Sequence, residues 1–204
     1  MYIGLQFVSY FTTFIPLFAV FVYWYKRKFS FDSRVNLIGI YILFYFIIQF
    51  IMLILAVNSI NNLLFLRIFV FIEVFLFSFF VLPLQIKSEK LCLFLSILLS
   101  LIIVLIDLIW GDKSTLPVES MMVEAIVITL LGMAAIPTIK IRKDYESSLF
   151  YFTFAILFTS VNTLLGVGFL DLAPKLSFSI QAVVAIITHL IFAWGFYVIL
   201  KSES

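Results

Sequence analysis

Stretches of about twenty apolar residues, broken by short polar connections, run the length of the chain. That length suits an α-helix crossing a hydrocarbon core about 30 Å thick, whereas barrel strands would show segments of about ten residues alternating polar and apolar. The pattern predicts seven helices: Ile3 to Tyr25, Val35 to Val57, Leu63 to Gln85, Leu91 to Trp110, Met121 to Pro137, Ser148 to Leu170 and Leu176 to Leu200. The start of the fifth is the least defined, because Glu119 and Glu124 crowd it and Pro117 suits a first-turn position. The expected fold is all-α: a single transmembrane domain over residues 1–204, a bundle of seven helices.

Composition strengthens this reading. Hydrophobic residues make up 65% of the chain and charged residues 12%, against roughly 45–50% and 25% in soluble domains, so a water-soluble globule is excluded. In lipid the backbone must satisfy its own hydrogen bonds, which apolar runs of this length do as helices. The connections, such as Asn58 to Asn62 and Asp171 to Lys175, are too short for an extramembrane domain. Function is therefore expected between the helices, on the short loops, or through another polypeptide. No basic residue precedes Lys26, so the first run lacks the basic flank of a cleaved signal and is expected to stay in the protein. A net charge of +2 leaves no basic footprint for nucleic acid.

The basic residues sort by membrane side. Of the 13, ten follow helices 1, 3, 5 and 7 or precede helix 2, including Lys26, Arg27, Lys87, Lys140 and Lys201. Only Arg67, Lys113 and Lys175 fall on the other side. The positive-inside rule then places the N-terminus outside and the C-terminus in the cytoplasm. Tyr23, Trp24, Tyr25 and Trp110 fit interfacial anchors.

An ionised side chain at mid-bilayer costs roughly 2.5–3.5 kcal/mol, so each needs a partner, a cavity or a proton. Glu73 and His189 fall near the middle of helices 3 and 7, with Arg67, Asp107 and Glu124 nearer the outer ends of helices 3, 4 and 5. Asn162, Gln49 and Gln181 join them, as do Gln6, Ser9, Tyr10 and Thr13 in helix 1. At about 100° per residue, Tyr41, Tyr45 and Gln49 form a stripe on helix 2, and Ala155, Thr159, Asn162 and Gly166 one on helix 6. The second stripe reads either as a helix contact face or as a cavity wall. Asp107, beside Trp110 and Gly111, reads as a solvated end residue. Arg67 and Glu73 differ by about 120° in phase, so each looks to other helices. Arg67 can neutralise only one of Glu73 and Glu124, and the other must bind a cation, pair with His189 or stay protonated.

These residues predict an outward-opening polar chamber whose candidate ligand-binding residues are Glu73, Glu124, His189, Arg67, Asn162, Gln181, Gln49 and Tyr45. The alternative is a dry bundle pinned by interhelical hydrogen bonds. Several chemistries are excluded or weak. Helix 7 has no lysine before Lys201 for a retinal Schiff base. A single histidine and the lone Cys92 argue against a zinc site, no catalytic constellation is complete, and no cofactor is expected.

The segment "NNLLFLRIFVFIEVFLFSFF" in helix 3, with a central Glu and a Ser five residues later, resembles a group of short seven-helix bacterial membrane proteins of uncharacterised function. "VESMMVEAIVITLLG", "SSLFYFTFAILFTSVNTLLGVGF" and "THLIFAWGFYV" follow in the same order, so the resemblance covers most of the chain. Helix 7 departs from it, with Gln181 and His189 standing where the group more often carries His and Asn. The resemblance implies a bacterial plasma-membrane protein without a soluble effector domain, and lends no reaction.

Together these features lead to three expected classes. The first is a receptor-like sensing module that binds a small molecule, ion or lipid and signals through a separate membrane or cytoplasmic partner. The second is a small-solute or proton-coupled transporter. The third and weakest is an intramembrane enzyme acting on lipid.

Overall fold

The computed structural model describes residues 8–9, 11–27, 34–58, 63–111, 117–139, 144–168 and 174–201. Seven α-helices occupy them: α1 (Phe14–Arg27), α2 (Arg34–Val57), α3 (Leu63–Val81), α4 (Glu89–Trp110), α5 (Val118–Ala135), α6 (Asp144–Gly168) and α7 (Pro174–Lys201). No strand occurs among the described residues. Six of the helices, α2 to α7, are long and apolar enough to cross a membrane.

α1 is 14 residues, about 21 Å at 1.5 Å per residue, and falls short of a full span by itself. The expected start of helix 1 at Ile3 lies outside the described residues. Helical residues at 8–9 and 11–12 precede α1, and the helix is interrupted at Thr13. Pro16 explains the break. It has no N–H to offer the Thr12 carbonyl four residues earlier, and its ring crowds that carbonyl.

Elsewhere the helix ends follow backbone chemistry rather than the limits of the apolar runs. α4 begins two residues before the expected Leu91, at Glu89, where the Ser88 hydroxyl accepts from Leu91 N–H at 3.4 Å. α5 begins at Val118, directly after Pro117, rather than at Met121. α7 takes Pro174 as its first residue, a position at which proline costs no hydrogen bond. Pro83 and Pro137 turn the ends of α3 and α5 into the short 3-10 segments Leu82–Leu84 and Ile136–Thr138.

The helices close into a ring. α1 packs on α7 and α2, α2 on α3, α3 on α5, α5 on α6 and α6 on α7, while α4 lies outside against α3 and α5. The interior is aromatic: Phe77, Phe80, Phe152 and Phe196 are fully buried, and Tyr41 lies with its ring centre 4.4 Å from that of Phe77. α6 and α7 approach closely because Gly195 leaves room for the Phe152 ring, and Ser177 Oγ donates to the Gly166 carbonyl at 2.8 Å. The outer face is apolar, with Phe94, Leu101, Leu105 and Leu108 of α4 exposed. Such a surface would be insoluble in water and is suited to lipid.

Candidate functional site

The ring brings one face of α3 against both α2 and α5, and this positions Glu73. The side chain is buried between them and accepts a hydrogen bond from the Tyr41 hydroxyl on α2 at 2.7 Å. Its carboxyl group is also hydrogen-bonded to that of Glu124 on α5, which is equally buried. Two carboxyl groups can form such a bond only with a proton between them, since an ionised carboxylate has no donor. Glu73 already accepts from Tyr41, so Glu124 is the member placed to donate. The pair thus shares at least one proton in the interior.

His189 on α7 is buried beside α1, its Nδ1 3.0 Å from Thr12 Oγ1. Thr12 Oγ1 donates its only hydrogen to the Ser9 carbonyl at 2.8 Å. The Thr12–His189 hydrogen bond thus ties the imidazole to the segment that precedes α1. The Tyr45 ring meets the imidazole edge-on at 5.9 Å.

Between these groups lies a chamber of about 50 Å³, lined by Thr13, Pro16, Tyr41, Tyr45, Thr159, Asn162, Thr188 and His189 among others. Asn162 Oδ1 is buried without a hydrogen-bond partner. A water takes about 30 Å³ of liquid volume, so the space suits one or two waters or a small ion. Organic-ligand sites occupy about 300–1,000 Å³, and a molecule of that size does not fit without movement of the helices. Tyr41 belongs to both features: its ring walls the chamber, and its hydroxyl reaches Glu73.

The expected site is thus divided. Tyr45, Asn162 and His189 line the chamber, and Glu73 and Glu124 stand behind Tyr41. Arg67 lies elsewhere: its Nε is 2.9 Å from Asp107 Oδ2 on α4, at a separate recess. Arg67 therefore neutralises Asp107, and Asp107 is an ion-paired residue rather than a solvated helix end. Gln181 packs over Gly166, where a Cβ would overlap its amide, and Gln49 lines neither space. Gln6 and Tyr10 lie outside the described residues. The helix 6 stripe serves both of its expected uses, since Gly166 and Ala155 pack while Thr159 and Asn162 face the chamber. Among the described residues no three His, Cys, Asp or Glu side chains converge as a metal-ligand set.

Tyr41, Thr12 and Pro16 were not among the expected site residues. Tyr41 had a usable signal, its four-residue spacing from Tyr45 on the same stripe. Pro16, four residues after Thr12 within an apolar run, marked the broken turn.

Fold and site together describe a polytopic helical bundle with a polar, carboxyl-bearing interior. No family model, curated protein or solved structure matches the chain.

Proposed function

We propose that this protein is a receptor-like binding module of the bacterial plasma membrane, whose chamber takes a small cation or a proton and whose occupancy is read by a separate partner. The observation that carries this reading is the Tyr41 bridge, because it joins a water-sized space to a buried carboxyl pair that shares a proton. A bound cation or a change in the number of protons would alter the charge on the pair, and the Tyr41 hydroxyl would reorient in response. In this proposal the N-terminus and the chamber face outward. The loops around Lys26 to Arg34 and Lys140 to Lys143 are the surfaces offered to the partner.

The test is thermal unfolding of the purified protein in mild detergent with Li⁺, Na⁺ or K⁺, from about pH 5 to about pH 8. The wild type should be stabilised by one of the cations or by pH, and Glu73→Gln should respond to neither. A wild type indifferent to all of them, or a Glu73→Gln variant that responds unchanged, overturns the reading. Copurification of a second polypeptide that binds the basic loops tests the signalling half.

A second reading, a proton-coupled transporter, draws on the α1 break at Thr13 beside the chamber, since interrupted helices at a central site are a transporter device. Flux into proteoliposomes that disappears in Glu73→Gln would favour it over the receptor.

A further inference from the structure

The turn that leads into α1 is loosely built on both sides of Thr13. Pro16 offers the Thr12 carbonyl no N–H, and the next rung is long, with Leu17 N–H donating to the Thr13 carbonyl at 3.4 Å. Ahead of the break, the Ser9 carbonyl accepts from two hydroxyls, Thr12 Oγ1 at 2.8 Å and Thr13 Oγ1 at 3.4 Å. Hydroxyls bonded in this way give a carbonyl an alternative to the helical ladder, and with proline they are a recurrent cause of sharp bends.

Among the described residues ahead of the break, Val8 and Phe11 are exposed, so apolar burial does little to hold this segment on the bundle. A polar tie holds it instead, Thr12 Oγ1 to His189 Nδ1 on α7 at 3.0 Å. Break and tie both belong to the chamber. Thr13 and Pro16 line it from the α1 side and His189 from the α7 side, so a swing of the segment at Thr13 changes the chamber's walls. A neutral hydrogen bond shifts an equilibrium by up to about tenfold, which suits a latch that opens and closes reversibly.

We propose that the segment ahead of α1 is a gate on the chamber, pivoting at Thr13 and latched by the Thr12–His189 hydrogen bond. In the latched form the chamber measures about 50 Å³. Release of the latch draws Thr13 away from the wall and opens the chamber between α1 and α7, where a solute enters or leaves. Pro16 keeps the pivot free, because it leaves the rung at the Thr12 carbonyl unmade. The gate does not depend on what the chamber binds: a chamber indifferent to cations and to pH can still open in this way.

The experiment reads access to the chamber by thiol labelling of the purified protein in mild detergent. In a Cys92→Ala background, Thr159→Cys puts a thiol on the chamber wall, and Ser78→Cys puts one at a fully buried site on α3 that does not line it. Methyl methanethiosulfonate should label Thr159→Cys about tenfold faster once Thr12→Val removes the latch, the scale of one hydrogen bond. Pro16→Ala supplies the missing N–H to the Thr12 carbonyl, stiffens the pivot, and should slow labelling below that of the starting protein. Ser78→Cys should keep its rate in both variants. Pro16→Ala decides the matter alone if Thr12→Val fails to fold. A rate at Thr159→Cys that either variant leaves unchanged overturns the proposal. Equal acceleration at Ser78→Cys also overturns it, because the bundle then loosens as a whole rather than at a gate.

Discussion

Tyr41 illustrates how little polar chemistry a bundle of this kind can hold without a partner for every group. Its hydroxyl is the donor to Glu73, and removing it leaves a buried carboxyl oxygen short of one bond. Tyr41→Phe should lower stability by about 1–3 kcal/mol, read as unfolding in detergent, although ring packing on Phe77 is preserved. Glu124→Gln tests the carboxyl pair from the other side. An amide at 124 can donate to Glu73 as the acid does, so stability should change by less than about 1 kcal/mol, whereas Glu124→Leu removes the donor and should cost about 3 kcal/mol. Equal losses in the two variants would mean that the hydrogen bond does not hold the pair. Glu73, Glu124, His189 and Asn162 were all legible in the sequence as interior polar groups, because any such group in an apolar run is conspicuous. Their partners were not. Helical phase separates Arg67 from Glu73 on α3, but which neighbour each one meets depends on where α2, α4 and α5 stand around the ring. Tyr41 stood on the same stripe as Tyr45 yet was not singled out as a site residue, because tyrosine is common both in cores and at interfaces.

At the scale of the helices, existence and order could be read from the apolar runs, while the ends were set by groups that hydropathy ignores. Prolines start α7 and close α3 and α5, and Ser88 caps α4, so each end lies a few residues from the limit of its run. The interruption of α1 at Thr13 has the same origin in Pro16. Close approach of α6 and α7 was equally hidden, because a glycine in an apolar run does not announce which ring will lie over it. A Cβ at Gly195 would stand 2.5 Å from Phe152 Cε1. Helix propensity alone favours alanine over glycine by about 1 kcal/mol, so any loss of stability in Gly195→Ala isolates this contact. The expected loss is about 1–3 kcal/mol in detergent unfolding, and Phe152→Leu in the same chain should recover part of it by shrinking the neighbour. If the double variant is as unstable as the sum of the singles, the two residues do not press on one another.

For the molecule as a whole, the ring explains why the polar groups separate into two places. α3 faces inward through Glu73 and outward through Arg67, and α4, lying outside the ring, supplies Asp107 to the outward face alone. Which side of the membrane each place faces then rests on the basic residues, ten of 13 of which share one side. Moving lysine or arginine across the bilayer is costly, and the cytoplasmic side retains them. The lone cysteine, Cys92, is fully buried, so a Cys92→Ala background carries no thiol and single cysteines can be placed at will. In intact cells a membrane-impermeant maleimide should label Lys113→Cys, and should label Lys26→Cys and Lys201→Cys only after permeabilisation. The opposite pattern would invert the bundle, set the Arg67–Asp107 recess at the cytoplasmic leaflet, and remove the outward-facing chamber from the proposed function.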